Sequence, residues 1–522
     1  MKKHRIILLA VIGLSLLLRI QHEITYQDMY VDKMVQIAAA KNLLMGNGFT
    51  FSTLNSNDFS VLSSTFVNKY APGYSLLLIP LYYITGDFSF AVLIMDILFV
   101  ILLFLALILL LKTLDIPPQR QILFFVFAGI SFTPFYHLSS TDLMALAFFQ
   151  WAVFVAVYFL KKKKNYLPLA LLTGVLCFMT GFMKFNYYPL MFAVPLGIFI
   201  IGFFDKTKKV LLFSILSGFT AAVLLATQSL LLKLFSGSMF FVGDPKGFFP
   251  ENLAKFDVFP FKSLFFYEGA LQVVFNMTPI LEPIYLFVAG LFSLIIVFEI
   301  LRYILRKIDA VKLTKDYLTL GITVLFVNVF FLIYMSLSHK GQSWEIPPWT
   351  PVEETRYYGQ SMLFIEIVLL TMLLYEQYKS KILKALYVSL LAVVLLYAGS
   401  YWINENYTVY VKNNRQNTYA GMYQEELKIS QIVDGHLDEG HFNVFASPNA
   451  LTDNFVFDFS GVQAININYT ALLNDTIFRT NRPVTLFLAT PQDSCNLGKL
   501  EKFVPEKIAG HNTFDIYKIK IN

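Results

Sequence analysis

The stretch FSFAVLIMDILFVILLFLALILLL, residues 88–111, is long and apolar enough to cross a lipid bilayer as a single helix. Similar apolar runs recur along the chain, and short clusters of charged residues separate them. Of the 522 residues, 56% are hydrophobic and only 15% are charged, which is too little polar surface for a soluble protein of this size. The sequence therefore predicts an α-helical polytopic membrane protein.

About eleven runs are candidate membrane spans by their length and apolar character. They are residues 6–20, 88–111, 121–138, 142–160, 166–183, 189–204, 210–235, 280–301, 317–338, 358–378 and 384–402. The first run follows the basic residues MKKHR and has the outline of a signal peptide. It lacks a small-residue cleavage site, and Arg19 lies near its end, so we expect it to be retained as the first span.

Basic residues mark every second connection between these spans. The clusters are KKHR at the N-terminus, Lys112 with Arg120, KKKK at 161–164, DKTKK at 205–209, the group from Arg302 to Lys315, and Lys379 to Lys384. Under the positive-inside rule, they place the N-terminus in the cytoplasm and the chain after about Tyr401 outside. The net charge of +6 thus reflects topology, and we expect membrane lipids as partners but no nucleic acid. We expect a multi-pass protein of the plasma membrane, in bacteria the inner membrane.

Two long segments lie on the predicted outer face. The first covers residues 21–87 and contains GYSLLLIPLYYITG at 73–86, which is too short to span the bilayer. We expect this stretch to form an interfacial or re-entrant helix. The second segment, residues 236–279, is rich in Phe, Pro and Gly, a composition typical of chain packed at the headgroup boundary.

The composition changes after residue 402. Short apolar runs (FNVFA, VTLFLAT and TFDIYKIK) alternate there with polar stretches and one helical pattern, GMYQEELKISQIVDG. This alternation indicates a small soluble α/β domain. We therefore predict a transmembrane catalytic domain over 1–402, which includes the long outer loop 21–87, and an extracytoplasmic α/β domain over 403–522. Cys177 lies in an apolar run and Cys495 in the polar tail, so we expect neither a disulfide nor a cysteine metal site.

Several ionisable residues fall on the predicted outer side of the membrane, in segments far apart in the sequence. They are Asp32, Lys69, Asp142, Lys184, Glu353, Glu354 and Arg356. Charges at membrane depth are costly, so such residues commonly belong to functional sites. Each also has a structural interpretation. The aspartates can cap helix N-termini, the lysines can extend to lipid headgroups, and Arg356 can pair with a neighbouring glutamate. His339 has no second His or Cys at ligand spacing nearby, so we expect no metal site.

Five segments in order resemble those of GT-C glycosyltransferases, specifically the branch of protein mannosyltransferases and lipid A aminoarabinose transferases. The segments are Asp32 with Ala40 and Gly46, then NKYAPGYSLLLIPLYYITG, SSTDLMALAFF, FMKFNYYPL and ETRYYGQSMLF. The resemblance covers about residues 1–380, and each motif by itself is weak. The chain departs from the pattern at four points: Lys33 in place of a second acid, a single Pro72, Lys184 where Arg is frequent, and no proline after Tyr358.

The resemblance implies a catalyst that moves a sugar from a polyprenyl-phosphate donor to a hydroxyl or amine on the outer face, with inversion at the anomeric carbon. It implies that Asp32 is the catalytic base, because a carboxylate can take the acceptor's proton. It also implies that three cations bind the donor phosphate and three further residues bind substrate. These are Lys69, Lys184 and Arg356 for phosphate, and Asp142, Glu354 and Tyr357 for substrate. The acceptor would be a lipid, a glycan or a protein, and no cofactor is expected.

Two other functions remain open from the sequence. A flippase or transporter of lipid-linked sugar would also carry charges within the membrane, although such proteins commonly show inverted repeats and broken helices that are not evident here. A polymerase or ligase of surface polysaccharide would use the same donor chemistry with a different acceptor. A phosphate-cradling Gly-rich loop is not found, which argues against a nucleotide-sugar donor.

Overall fold

The computed structural model describes most of the chain. The described residues are 2–25, 31–54, 58, 60–67, 70–130, 140–237, 247–255, 283, 287, 290–291, 294, 312–338, 355–373, 381–411, 419–448, 461–466, 480–492, 497–511 and 514–521.

Helices dominate the described part of the chain. In chain order they are α1 Lys2–Thr25, α2 Val31–Leu44, α3 Gly73–Thr85, α4 Phe88–Thr113, α5 Pro118–Ile130, α6 Ser140–Lys162, α7 Tyr166–Met183, α8 Leu190–Phe204, α9 Lys208–Ser236, α10 Lys312–Ser338, α11 Gly359–Ile367, α12 Lys381–Asn406 and α13 Tyr419–Asp434. Turns of π-helix continue α11 through Val368–Leu373 and α12 through Tyr407–Val411.

Seven helical segments in the described ranges are long and apolar enough to cross a membrane. They are Lys3–Thr25, Phe88–Thr113, Thr141–Lys162, Tyr166–Met183, Phe185–Phe204, Lys208–Phe235 and Lys312–Ser338. The predicted spans 358–378 and 384–402 correspond to α11 with its π-turn and to α12. Only the first part of 121–138 is described, as α5, and most of 280–301 lies outside the described residues. The prediction of a polytopic helical membrane protein is confirmed.

The predicted short helix of the first outer loop is α3. It has 13 residues, so it extends about 20 Å, which is less than the apolar core of a bilayer. Gly86 ends it with φ 71°, a left-handed conformation that glycine adopts without steric cost, and its N–H donates to Tyr82 O at 2.7 Å. Its position at the membrane interface stays a prediction.

Small residues allow the long helices to approach closely. A Cβ atom added at Gly174 of α7 would lie 2.6 Å from the Ser217 carbonyl oxygen and 2.6 Å from Cβ of Thr220, both on α9. Such close backbone contact is the usual basis of helix association in membranes, where apolar burial gives little driving force. In the same bundle, Ser214 of α9 donates its hydroxyl to the carbonyl of Pro195 in α8 at 2.8 Å.

The chain divides into two compact units. One comprises Met1–Glu23 with Asp96–Asn413, and the other comprises Ile24–Met95 with Asn414–Asn522. The second unit therefore groups residues 24–95 with the C-terminal region, although residues 96–413 lie between them in sequence. The predicted domains, 1–402 and 403–522, follow the change of composition, whereas the contacts divide the chain along other lines.

The described residues of the second unit form two sheets. Strands β1 Thr50–Leu54 and β2 Leu62–Phe66 form an antiparallel hairpin in the segment between α2 and α3. The C-terminal strands are β3 Phe442–Ala446, β4 Ala464–Asn466, β5 Val484–Pro491, β6 Glu506–His511 and β7 Phe514–Ile521. They form one mixed sheet in the order β4-β3-β5-β7-β6, in which β3 runs parallel to β4 and β5, and β7 is antiparallel to β5 and β6.

Both faces of the C-terminal sheet are covered, which explains why its strands β3 and β5 are mostly apolar and are buried along nearly their whole length. On one face, Ile429 and Val433 of α13 pack against Phe445 and Phe487. On the other face, Leu500 of a short 3₁₀ helix packs against the strands, and Leu62 of β2 is packed against the same core. The predicted small α/β domain is confirmed, and its three predicted apolar runs correspond to β3, β5 and β7.

Candidate functional site

A buried ion pair links the start of α6 to the corner between α7 and α8. Asp142 lies in the first turn of α6, and none of it is exposed to solvent. Lys184 follows the last residue of α7 and has an extended backbone (φ −152°, ψ 121°), which breaks the helix before the 3₁₀ turn Phe185–Tyr187. The Lys184 Nζ atom lies 2.6 Å from Asp142 Oδ2, and the Lys184 side chain is 9% exposed.

Two tyrosines lie beside this pair. The Tyr187 hydroxyl donates to Asp142 Oδ1 at 2.6 Å, so each carboxylate oxygen has a donor. The Lys184 Nζ atom lies 5.6 Å from the centre of the Tyr357 ring, within the range of a cation–π interaction. We call Asp142, Lys184, Tyr187 and Tyr357 the Asp142 cluster. All four residues are buried, and they come from three segments distant in sequence.

The burial of this pair favours a functional role over a purely stabilising one. Moving two charges out of water costs several kcal/mol for each ion, and their mutual attraction does little more than offset that cost. Apolar side chains of similar volume would pack the same position at least as stably. A charged cluster buried at this point therefore marks a candidate site for a charged ligand.

The structure describes less of the other four predicted site residues. Asp32 is the second residue of α2 and belongs to the second compact unit. Arg356 lies in a 3₁₀ turn, Thr355–Tyr358, and the described structure of both residues is limited to the backbone. Lys69 and Glu354 lie outside the described residues. The structure thus brings Asp142, Lys184 and Tyr357 together, and the roles assigned to all seven residues stay predictions.

Sequence reasoning overlooked Tyr187, although it lies within the quoted segment FMKFNYYPL. The available signal was its position three residues after Lys184, since a short turn there returns both side chains toward α6. The buried Glu366 was also overlooked. It interacts electrostatically with Arg19, which donates its Nε–H to the Ala128 carbonyl at 2.7 Å. Within the described residues, no group of three or more His, Cys, Asp or Glu side chains is arranged to hold a metal ion.

Comparison with known proteins identifies the fold. No protein-family model and no curated protein sequence matches the chain. The crystal structure of ArnT from Cupriavidus metallidurans bound to undecaprenyl phosphate matches it with a TM-score of 0.55 over 98% of this chain and 97% of that one. This chain has the fold of ArnT.

The apo structure of the same ArnT also matches, with a TM-score of 0.51 and the same coverage. ArnT is an aminoarabinose transferase of the GT-C class, so the expected GT-C fold is confirmed. Sequence identity is 9% in both comparisons, and the likeness is one of fold. It extends over nearly the whole of both chains and so includes the C-terminal sheet as well as the helical bundle.

Proposed function

We propose that this protein is an integral membrane glycosyltransferase that moves a sugar from a polyprenyl-phosphate donor to a hydroxyl or amine on the outer face. The observation that carries the proposal is the buried Lys184–Asp142 pair, a charged cluster inside a fold that ArnT shares. The ArnT structure holds undecaprenyl phosphate, a lipid with the phosphate group that the proposed donor would carry. The sugar and the acceptor are left open.

The proposed reaction is a single displacement at the anomeric carbon. The acceptor oxygen or nitrogen forms a bond to that carbon as the bond to the phosphate oxygen breaks, and the leaving lipid phosphate keeps the electron pair. Asp32 takes the acceptor's proton, which requires a carboxylate within hydrogen-bond reach of the nucleophile. One displacement inverts the configuration of the sugar.

The cations of the site have the charge that the leaving group requires. The lipid phosphate becomes more negative as it leaves, and fixed donors aimed at developing charge are a large source of catalysis. An ammonium has three N–H donors, so Lys184 is able to bind Asp142 and a phosphate oxygen together. In this proposal, Lys69 and Arg356 bind the same phosphate, while Asp142, Glu354 and Tyr357 line the substrate site.

The experiment is a screen of polyprenyl-phosphate sugars with the purified protein, measured by release of lipid phosphate. The variant Asp32→Asn is its matched control. Asp32 is the second residue of α2, so asparagine there keeps the shape of the side chain and loses only its charge near the helix N-terminus, but it cannot take a proton. We expect Asp32→Asn to keep the wild-type melting temperature and to lower turnover at least about 100-fold, the usual scale for a lost general base.

Two results would contradict the proposal. If the wild-type protein moves the lipid-linked sugar across a vesicle membrane without cleaving it, the protein is a transporter. If Asp32→Asn turns over normally while Asp142→Asn does not, the base is a different carboxylate.

A further inference from the structure

The C-terminal sheet and the first outer loop are joined by polar contacts within the second compact unit. Asp58 and Ser60, between β1 and β2, meet Asn481 and Arg482, which directly precede β5. The Asn481 side-chain amide donates to Asp58 Oδ2, and the Asn481 backbone N–H donates to Ser60 Oγ at 3.2 Å. Arg482 Nε donates to the Ser60 carbonyl at 2.9 Å. We call these four residues the clasp.

The clasp is locally ordered and supported by apolar packing. The backbone N–H and hydroxyl of Ser60 both donate to Asp58 Oδ1, at 2.9 and 2.5 Å. Hydrogen bonds from Ser60 and then from Asn481 lower the pKa of Asp58, so it is ionised at neutral pH. Next to it, Leu62 packs on the apolar face of the sheet, and the Arg482 guanidinium lies 4.4 Å from the centre of the Phe442 ring.

A second set of contacts connects the hairpin to α2. The Asn42 side-chain amide on α2 donates to the Thr50 carbonyl at 2.8 Å and to Ser52 Oγ at 3.2 Å, both on β1. One face of α2, through Val35 and Ala39, forms a small apolar core with Val67, which follows β2. The hairpin therefore contacts the residues that precede β5 at its turn, and it contacts α2 at its open end.

We propose that the clasp positions α2 through the hairpin, so that the C-terminal domain fixes the place of the helical turn that carries Asp32. This inference rests on the proposed function, in which Asp32 is the catalytic base. It gives the C-terminal domain a role in the reaction through α2. The four residues of the clasp act as positioning residues.

The physical reason is that neither the hairpin β1–β2 nor α2 is stable by itself. A two-stranded hairpin is marginal in water, and α2, with 14 residues, is at the limit below which isolated helices do not persist. Their geometry must come from tertiary contacts. The hairpin has them with the core of the C-terminal sheet through Leu62, and α2 has them with β1 and with α3, where the Ser75 hydroxyl donates to the Gln36 carbonyl at 2.7 Å. A base displaced by about 1 Å can cost about 100-fold in rate, so a loosened clasp would lower turnover.

The test uses a pair of reciprocal substitutions in the full-length protein. Asn481→Asp places two carboxylates opposite one another and breaks the contact, whereas Asp58→Asn only weakens it, because an amide oxygen accepts a hydrogen bond less strongly than a carboxylate does. The double variant Asp58→Asn with Asn481→Asp restores one donor facing one acceptor. We expect Asn481→Asp to lower kcat at least about tenfold with little change in KM, Asp58→Asn to lower it less, and the double variant to recover the kcat lost in Asn481→Asp.

A second readout follows the coupling without measuring activity. Amide hydrogen exchange in α2 and β1 should become faster in each single variant and return toward wild type in the double variant. The matched control is Lys507→Gln, which removes the half-exposed Lys507 ammonium from its pair with the buried Asp515 at the β6 edge of the sheet. This control should leave both kcat and the exchange of α2 unchanged.

The inference is overturned if the single variants keep wild-type kcat and exchange, or if the double variant fails to recover them. Failure of the proposed function is distinguishable. A wild-type protein that releases no lipid phosphate from any donor refutes the glycosyltransferase assignment, and with it the role of the clasp in catalysis. Exchange in α2 and β1 then decides on its own whether the clasp holds these elements.

Discussion

Lys184 and Asp142 each had a simpler interpretation by themselves. A lysine near the end of a span commonly extends to lipid headgroups, and an aspartate at the start of a helix commonly caps it. Instead, the Lys184 ammonium lies inside the protein, 2.6 Å from Asp142 Oδ2, and the second carboxylate oxygen is bound by Tyr187. At the scale of residues, the two charges therefore act together, and removing one leaves the other buried without its opposite charge.

Because the two charges are coupled, we expect a double variant to regain stability without regaining activity. Lys184→Gln leaves Asp142 buried without its cation, which costs about 3–5 kcal/mol of folding free energy. The double variant Lys184→Gln with Asp142→Asn removes both charges and should regain most of that stability. Its turnover should stay more than about tenfold below wild type, because a neutral amide stabilises a leaving phosphate poorly. Thermal unfolding and lipid phosphate release measure the two effects.

A fully active double variant would show that the pair is structural, and the phosphate would then have to be bound by the other proposed cations. Lys184→Arg is the conservative control. It keeps the charge, and the resembling family often has arginine at this position, so it should retain most of the activity.

At the scale of elements, the apolar strands of the C-terminal sheet were predictable and the hairpin of the first outer loop was not. Strands such as β5 are apolar along nearly their whole length because both of their faces are buried. The hairpin strands TFSTL and LSSTF are half polar. Their partners are Asn42 of α2 and residues of the distant C-terminal sheet, so no local pattern specifies them. Local sequence thus predicts elements whose stability is largely local or largely apolar.

The C-terminal sheet provides a prediction about pH. Burial raises the pKa of Asp438, but hydrogen bonds from Lys518, Thr485 and Lys520 outweigh it and lower the pKa from 3.8 to about 2. A lowered carboxyl pKa means that the folded state binds the proton less tightly than the unfolded state does. Its contribution to stability is therefore complete above about pH 4 and is lost as the pH falls toward 2.

We expect the sheet to become less stable when the pH is lowered from 5 to 2.5. The measurement is the urea concentration at which β5 and β7 of the whole protein lose half of their protection from amide hydrogen exchange, and this concentration should be lower at pH 2.5 than at pH 5. Asp438→Asn should start from a lower midpoint and fall by less, since it has no charge to lose. An equal fall in both proteins would assign the acid sensitivity of the sheet to other carboxylates.

At the scale of the whole molecule, the polytopic helical architecture was predictable because apolar length is a direct consequence of bilayer thickness. The two compact units were not, because residues 24–95 and 414–522 differ in composition and meet through particular contacts such as Asp58 with Asn481. The same reason limits the prediction of the site. Charge and position indicated Asp142 and Lys184, whereas Tyr187 becomes recognisable only when the turn after α7 is known.

The orientation in the membrane is a separate prediction, and it rests on the alternating basic clusters. In a background in which Cys495 is serine, single cysteines at Glu251 and Glu439 should react with an impermeant thiol reagent added to intact cells. A cysteine at Lys164, in the basic turn between α6 and α7, should react only after the membrane is opened. All three positions are exposed, so access depends on the side of the membrane. Labelling at Lys164 in intact cells would reverse the predicted topology.

The division of the second unit between the two ends of the chain has a consequence for biosynthesis. The hairpin and Leu62 are made early, whereas the sheet that covers them begins only after residue 414. At ordinary rates of translation, the ribosome needs about half a minute to read from residue 95 to residue 414. During that interval the newly made hairpin lacks the sheet against which Leu62 packs. A premature stop codon near the end of the gene would accordingly damage the first loop as well as the last domain.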